Sequence, residues 1–352
     1  MSISELLSSA SESPLESDFR GQIQSIKQKQ TKGGKPYFEW NIADSTGSLT
    51  LKIWNNHPQW QKACEIKADL VLRFSGEWIQ NQYGLDGRNW NFSRLAEEEI
   101  ESFFAGDPSL LEKQKSDWEQ ICNEVSELRD PRLRELCSLF IEQYGLRFRR
   151  SAAARRNHHA RRGGLVEHVA QMMRSAVAIC SVYPYLNRDL MIAGVLFHDC
   201  GKIWENTYPE RGFNQLHLAA GEMIGHIPLG LELVNKLWRE LPHKSWSELE
   251  PPNEEIRLHL LHLIASHHGQ YEFGSPTLPK TPEAYALHYI DNLDAKLEMV
   301  KDAYASAQET APGIYERQFP LQAPLIKPLT PFENQIPSQA KEVSNPPPGH
   351  LF

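Results

Sequence analysis

The sequence predicts a small β-domain followed by an all-α domain and a disordered, proline-rich tail. Three observations carry this reading. Apolar residues alternate with polar ones between Phe19 and Arg94. From Leu110 onward they recur at helical spacing, and nine of the 23 prolines fall after Ala311. At 352 residues and 40% hydrophobic composition the chain is long enough to bury a core in each of two domains. The expected boundaries are a flexible segment 1–17, a β-domain 18–98, a linker 99–114, a helical domain 115–310 and a tail 311–352.

In the first domain Phe38, Trp40 and Ile42 alternate with Tyr37, Glu39 and Asn41, and Leu49, Leu51 and Ile53 alternate with Thr50, Lys52 and Trp54. Asp44-Ser45-Thr46-Gly47 supplies the turn between them. The connection Lys27–Lys35 carries four lysines and two glycines, which suits a loop that meets phosphate.

The net charge of −8 argues against indiscriminate nucleic-acid binding, but it is unevenly spread. Between Asp18 and Arg94 eleven Lys/Arg face seven Asp/Glu, a local balance of +4, whereas Glu97, Glu98, Glu99 and Glu101 open an acidic stretch. Five cysteines without a Cys-x-x-Cys pair read as free thiols, Cys200 among them as a buried structural one. There is no signal-peptide pattern at the start and no run of eighteen apolar residues, so a cytoplasmic protein with no membrane partner is expected.

In the helical region, runs over 110–144 and 164–180 are followed by segments at 189–198, 216–238, 254–267 and 282–304. Histidines and carboxylates recur at their ends: His168, the pair His198-Asp199, His226, the pair His267-His268, and Asp291. Imidazole with carboxylate suits Mn²⁺, Fe²⁺ or Zn²⁺ in a catalytic rather than a structural site. Adjacent residues on a helix diverge by about 100°. His198 and Asp199 therefore share an ion only where the helix ends, and Gly201 is the expected breaker. A metal held there can acidify water from a pKa of about 15.7 towards neutrality. Taken singly, any histidine is better explained by a local hydrogen bond, and His57, His217, His243, His259, His262 and His350 keep that reading.

Jointly, His168, His198-Asp199 and Asp291 resemble the signature of the HD superfamily of metal-dependent phosphohydrolases, in the same order. The resemblance implies that these four bind a first metal. It further implies that Asp199 bridges to a second, with His226 and His267 completing it. His268 is then a third ligand or a phosphate contact, and Lys202 a phosphate contact. It favours Asp291 over Asp294 and makes His288 an orienting residue.

Three longer stretches, 163–168, 266–276 and 286–296, are similar to the YhaM-type 3′→5′ exoribonucleases, and the similarity spans about residues 18 to 305. That family joins an N-terminal OB-fold β-barrel to an HD domain and works with Mn²⁺, one or two ions per chain. The implied activity is release of nucleoside 5′-monophosphates from single-stranded RNA, with single-stranded DNA as a second substrate and room for a homo-oligomer. The tail after Ala311 departs from the family's core.

An OB barrel holds single strands on aromatics and a basic groove. Alternation leaves Tyr37, Lys52 and Trp54 facing out as stacking and phosphate contacts, with Trp78 and Tyr83 behind them. Seven arginines fall within sixteen residues from Arg147 to Arg162, directly before His168. Arg155, Arg156, Arg161 and Arg162 are the expected phosphate-tracking residues, with His158 and His159 as further substrate contacts. Two other functions fit less of the sequence: a phosphohydrolase of free nucleotides, which leaves the β-domain idle, and a non-catalytic nucleic-acid-binding protein, which leaves the ligand set idle.

Overall fold

A computed structural model describes residues 1–10, 13–81, 84–155, 159–216 and 218–329. Residues 1–306 form one unit and the chain from Ala307 a second.

The chain begins with helix α1 (Ile3–Ser9), started by a capping box in which Ser2 and Glu5 satisfy each other's backbone amides. Ile3 and Leu6 are fully buried with the β-domain core, where the sequence reading expects a flexible segment. Strands β1 (Leu15–Gln30), β2 (Pro36–Ala43) and β3 (Ser48–Trp54), the short helix α2 (Trp60–Ala63), and strands β4 (Val71–Asn81) and β5 (Gly84–Arg94) follow. They form one antiparallel sheet in the order β3-β2-β1-β4-β5.

The alternation sets the faces as expected. Phe38, Trp40 and Ile42 are buried and lie opposite Ile53, Leu51 and Leu49, which are buried too. Asp44 makes the β2–β3 turn by accepting from the amides of Thr46 and Gly47. The expected closed barrel is not what forms: among the described residues no ladder joins β3 to β5, and the sheet is open. Alternation fixes which face of each strand is buried, but closure depends on tilt and stagger across all five strands. Trp78, expected as a further stacking residue, is instead fully buried, with its indole N–H donating to the Ser17 carbonyl.

The helices are α3 (Glu97–Ala105), α4 (Pro108–Ser126), α5 (Pro131–Phe148), α6 (Gly164–Val182), α7 (Arg188–Phe197), α8 (Lys202–Glu205), α9 (Ala219–Ile224), α10 (His226–Glu240), α11 (Asn253–Ser266) and α12 (Pro282–Ser306). The expected linker 99–114 therefore lies largely in α3 and the first turns of α4. Asp107, Asp130 and Asn187 cap α4, α5 and α7 through their side chains.

Helix α7 is the axis of the domain, packed by α5, α6, α11 and α12, and every residue from Leu190 to Phe197 is buried. That explains its apolar run, and it places whatever follows Phe197 inside the protein. The loop between α8 and α9 reaches back to the sheet. Phe213 joins Ala43, Val71, Leu95 and Phe103 in an apolar cluster, and its amide donates to Gln22.

In the second unit, β6 (Glu309–Ala311) and β7 (Ile314–Tyr315) pair as a two-stranded sheet, where the sequence reading expects a tail without regular structure. Residues 330–352 of that tail lie outside the described residues.

Candidate metal centre

Five imidazoles converge beyond the ends of α7 and α11, and all are held the same way. His198 Nδ1 lies 2.8 Å from the Val195 carbonyl and His267 Nδ1 2.8 Å from that of Ile264, each three residues back in its own helix end. His268 Nδ1 meets the Phe273 carbonyl at 2.6 Å. Carboxylates hold the other two: Asp294 Oδ2 is 2.6 Å from His168 Nδ1, and Glu205 Oε2 is 2.8 Å from His226 Nδ1. An oxygen of either kind accepts, so Nδ1 carries the hydrogen and Nε2 is left with its lone pair.

Those Nε2 atoms form two groups around Asp199. His168 Nε2 lies 3.3 Å from His198 Nε2, 3.4 Å from Asp291 Oδ1 and 3.7 Å from Asp199 Oδ2, and His198 Nε2 is 3.2 Å from the same Asp199 oxygen. Donors about 2.1 Å from one ion stand about 3.0 to 3.4 Å apart, so this set is nearly at coordination spacing. On the other side, Asp199 Oδ1 lies 3.5 Å from His226 Nε2 and 3.7 Å from His267 Nε2. These three atoms are buried and have no hydrogen-bond partner. Such a group costs about 1–3 kcal/mol apiece, which a shared cation removes. The groups His168/His198/Asp291 and His226/His267/His268 can each hold a metal ion, and their N/O donors fit a divalent one.

Charge in the centre is strongly coupled. Burial pushes the Asp199 carboxyl up, but Lys202, with Nζ 2.6 Å from Oδ2, and His198 hold it well below the carboxylate range. Asp291 and Asp294 are also held low against burial, chiefly by His168 for the first and by His159 and His168 for the second. Burial lowers His168, yet Asp291 and Asp294 raise it to about 9, so a metal ion there would take the place of a proton on Nε2. Burial and the neighbouring imidazoles push His267 and His268 down, leaving both neutral at pH 7 and ready as ligands.

The structure brings His168, His198, Asp199, His226, His267, His268, Asp291 and Lys202 together. Asp294 faces the far side of the His168 ring, so Asp291 is the carboxylate on the ligand side. His288 meets the His267 carbonyl at 2.9 Å and so steadies the backbone of that ligand. Gly201 departs from its expected role. Its φ of −67° is ordinary right-handed backbone, and α8 starts at the next residue. It is glycine because a Cβ there would lie 1.9 Å from the His226 carbonyl oxygen. Cys200 is buried and its thiol is pushed up by burial, as a structural cysteine should be.

The arginine segment is largely committed to the protein. Arg161 pairs with buried Glu167 at 2.5 Å, and Arg162 donates to the carbonyls of Pro209, Glu210 and Gly212. Both guanidinia thus have partners within the chain. Arg155 is partly exposed and paired with Glu222, and its charge is felt by Glu205, so it remains beside the centre. Arg156 and His158 lie outside the described residues, as does Tyr83. His159 is not a surface contact: it is buried, with φ of 49°, and its Nε2 lies 3.2 Å from Asp294 Oδ2.

On the sheet, Tyr37 and Trp54 face each other across β2 and β3 with ring centroids 4.8 Å apart, and Trp54 is 41% exposed. Lys52 lies half-buried opposite Glu39, beside them. The set-aside histidines His57, His243 and His262 make local hydrogen bonds to Trp90, Trp238 and Lys280, while His217 and His350 lie outside the described residues.

Sequence reasoning missed Glu205, which orients His226, and Glu167, which anchors the start of α6. Glu205 acts on an imidazole that only the fold brings near, whereas Glu167 meets Arg161, six residues before it, across the turn into α6.

Residues 165–296 match the HD domain family, and the match spans all five imidazoles together with Asp199 and Asp291. An HD domain fits a metal-dependent phosphohydrolase. Among the described residues no helix is long and apolar enough to cross a membrane.

Proposed function

We propose that the protein is a metal-dependent phosphodiesterase acting on single-stranded RNA from its 3′ end, with single-stranded DNA as a second substrate. The observation that carries the hydrolytic part is Asp199, whose two oxygens each face a separate set of Nε2 atoms while one of them lacks any hydrogen-bond partner. Divalent ions in such sites supply Lewis-acid stabilisation of phosphoryl oxygens and a nucleophile at neutral pH. Mn²⁺ is the ion proposed.

The chain's own groups have separable parts. Asp294, Glu205 and the carbonyls of Val195 and Ile264 keep the imidazoles in one tautomer and orientation. Lys202 places a cation beside Asp199, where it can meet a phosphoryl oxygen. His268, neutral and half-buried at the edge of the second group, presents its Nε2 lone pair as a ligand or proton acceptor near the scissile phosphate.

The RNA part rests on the open sheet. Its outer face offers the Tyr37–Trp54 pair for base stacking, with Lys52 beside it; of the lysines expected in a loop, Lys27 and Lys29 lie in β1, and Lys32 and Lys35 in the exposed β1–β2 connection. This is the strand-holding role proposed for an OB-like domain. Because Arg161 and Arg162 are tied up internally, turnover of free nucleotides is the second reading.

Digestion of a 5′-labelled single-stranded RNA with Mn²⁺ tests the first. A ladder shortening from the 3′ end is expected, and the H198A/D199A variant should bind RNA without cutting it. Turnover of free nucleotides alone, or full activity in that variant, would refute the proposal.

A further inference from the structure

A cavity of about 530 Å³ opens between the α3–α4 junction, the end of α5 and the start of α6. Val166 lines it. His168 is two residues on, about 200° around α6, so the cavity and the metal centre lie on opposite sides of that helix. One wall is apolar, with Phe104, Leu110 and Leu146.

The other wall carries Lys115, Arg149, Arg150 and Arg162 against one carboxylate, Glu210. Among the described residues none of the four cations makes an ion pair. Arg162 donates to backbone carbonyls of 209, 210 and 212, and Arg150 Nε to that of Tyr208 at 3.0 Å. A carbonyl takes a hydrogen but does not cancel the charge. The cost is visible: Arg162 is held below its ordinary value by burial and by Arg150, and Arg147 is lowered by the same two causes. In a chain of net charge −8, part-buried guanidinia that repel one another around a cavity are what an anion would relieve.

We propose that this cavity binds an organic phosphate of nucleotide size, with the phosphate between Arg150 and Arg162 and the organic body on the apolar wall. A phosphate suits it better than a single carboxylate, since its near-divalent charge offsets two guanidinia and its oxygens match their planar forks. A volume of this size is within the usual range for small-molecule sites of about 300–1,000 Å³. The inference stands independently of the hydrolytic reading.

Isothermal titration of the full-length, EDTA-treated protein tests it, with adenosine 5′-monophosphate, inorganic phosphate and adenosine as separate probes. The monophosphate should bind at one site, at least tenfold more tightly than either of the others. Arg150→Gln should weaken it at least tenfold. Arg149→Glu, on the exposed rim where folding is not at risk, should weaken it too, and Asp199→Ala should leave it unchanged.

The proposal is overturned if the monophosphate gives no heat at millimolar concentration, or if both arginine variants bind as well as the parent. Equal affinity for inorganic phosphate overturns it as well, because the apolar wall then contributes nothing. Loss of binding in Asp199→Ala would move the ligand to the metal centre. RNA hydrolysis is a separate measurement, so failure here leaves the proposed activity standing.

Discussion

Replacing Gly201 with alanine adds one methyl group and should dismantle half of the metal centre. The new Cβ would sit 1.9 Å from the carbonyl oxygen of His226, 2.7 Å from its carbonyl carbon and 2.9 Å from the amide of Gly230. All three are backbone atoms at the start of α10, so no side chain can swing aside. To reach even a tight contact, that end of α10 must retreat by more than about 1 Å, an overpacking strain of about 1–3 kcal/mol. His226 Nε2 already stands 3.5 Å from Asp199 Oδ1. Retreat opens the second group while leaving His168, His198 and Asp291 in place. Metal analysis of the folded G201A protein should therefore find one ion fewer per chain than the parent, with circular dichroism unchanged. Equal stoichiometry and affinity in both proteins would refute the argument that glycine is needed here for close approach.

Glu167 is held at about 2 despite burial, because Arg161 and Gln114 bond its carboxylate. Its folded value is depressed, so the stability it confers is present above its unfolded value and is lost as pH falls towards 2. Glu167→Gln should cost about 3 kcal/mol in urea unfolding at pH 7. The gap should narrow towards pH 2, and a pH-independent gap contradicts the ion pair. His159→Ala removes the second hydrogen bond to Asp294 and should weaken Mn²⁺ binding about 10- to 100-fold, with His159→Gln recovering part of it, as read by competition with a chelating dye; unchanged affinity would assign His159 to folding alone. Trp54→Ala should weaken single-stranded RNA binding by about 1–3 kcal/mol without lowering turnover at saturation. A fall in turnover with binding intact would place Trp54 in another role.

The parts of the protein that sequence revealed are those whose cause is local. Trp40 and Leu51 announce a buried face because the residues two positions away are apolar like them and those between are polar. The all-apolar stretch before His198 announces a central helix because α7 is packed on every side. His198 and Asp199 diverge as helix geometry requires, and the chain's change of course after Phe197 lets both reach one centre. What stayed hidden depends on distant partners. Closure of the sheet needs β3 and β5, thirty residues apart in sequence, to align in register. The reason for Gly201 lies in α10, and the reason for Glu205 is an imidazole in the same helix.

The arginine segment shows the limit most clearly. Seven guanidinia in sixteen residues before a metal ligand have one sequence signature whether they meet a polyanion or the protein itself. The fold gives them different fates. Arg161 finds a buried carboxylate, Arg147 finds a carbonyl of α8, Arg162 finds carbonyls of the loop after α8, and Arg149 lies over the Trp118 ring at 5.6 Å. Ion pairing neutralises a guanidinium, whereas a carbonyl or a ring satisfies its geometry and leaves its charge. Residual positive charge is thus concentrated around the cavity beside α6 rather than along a path to Asp199. On the proposed reading, an RNA strand at the candidate metal centre would rely on Arg155, Lys202 and the sheet face for its phosphates and bases, and charge reversal at Arg149 should leave its cleavage unchanged.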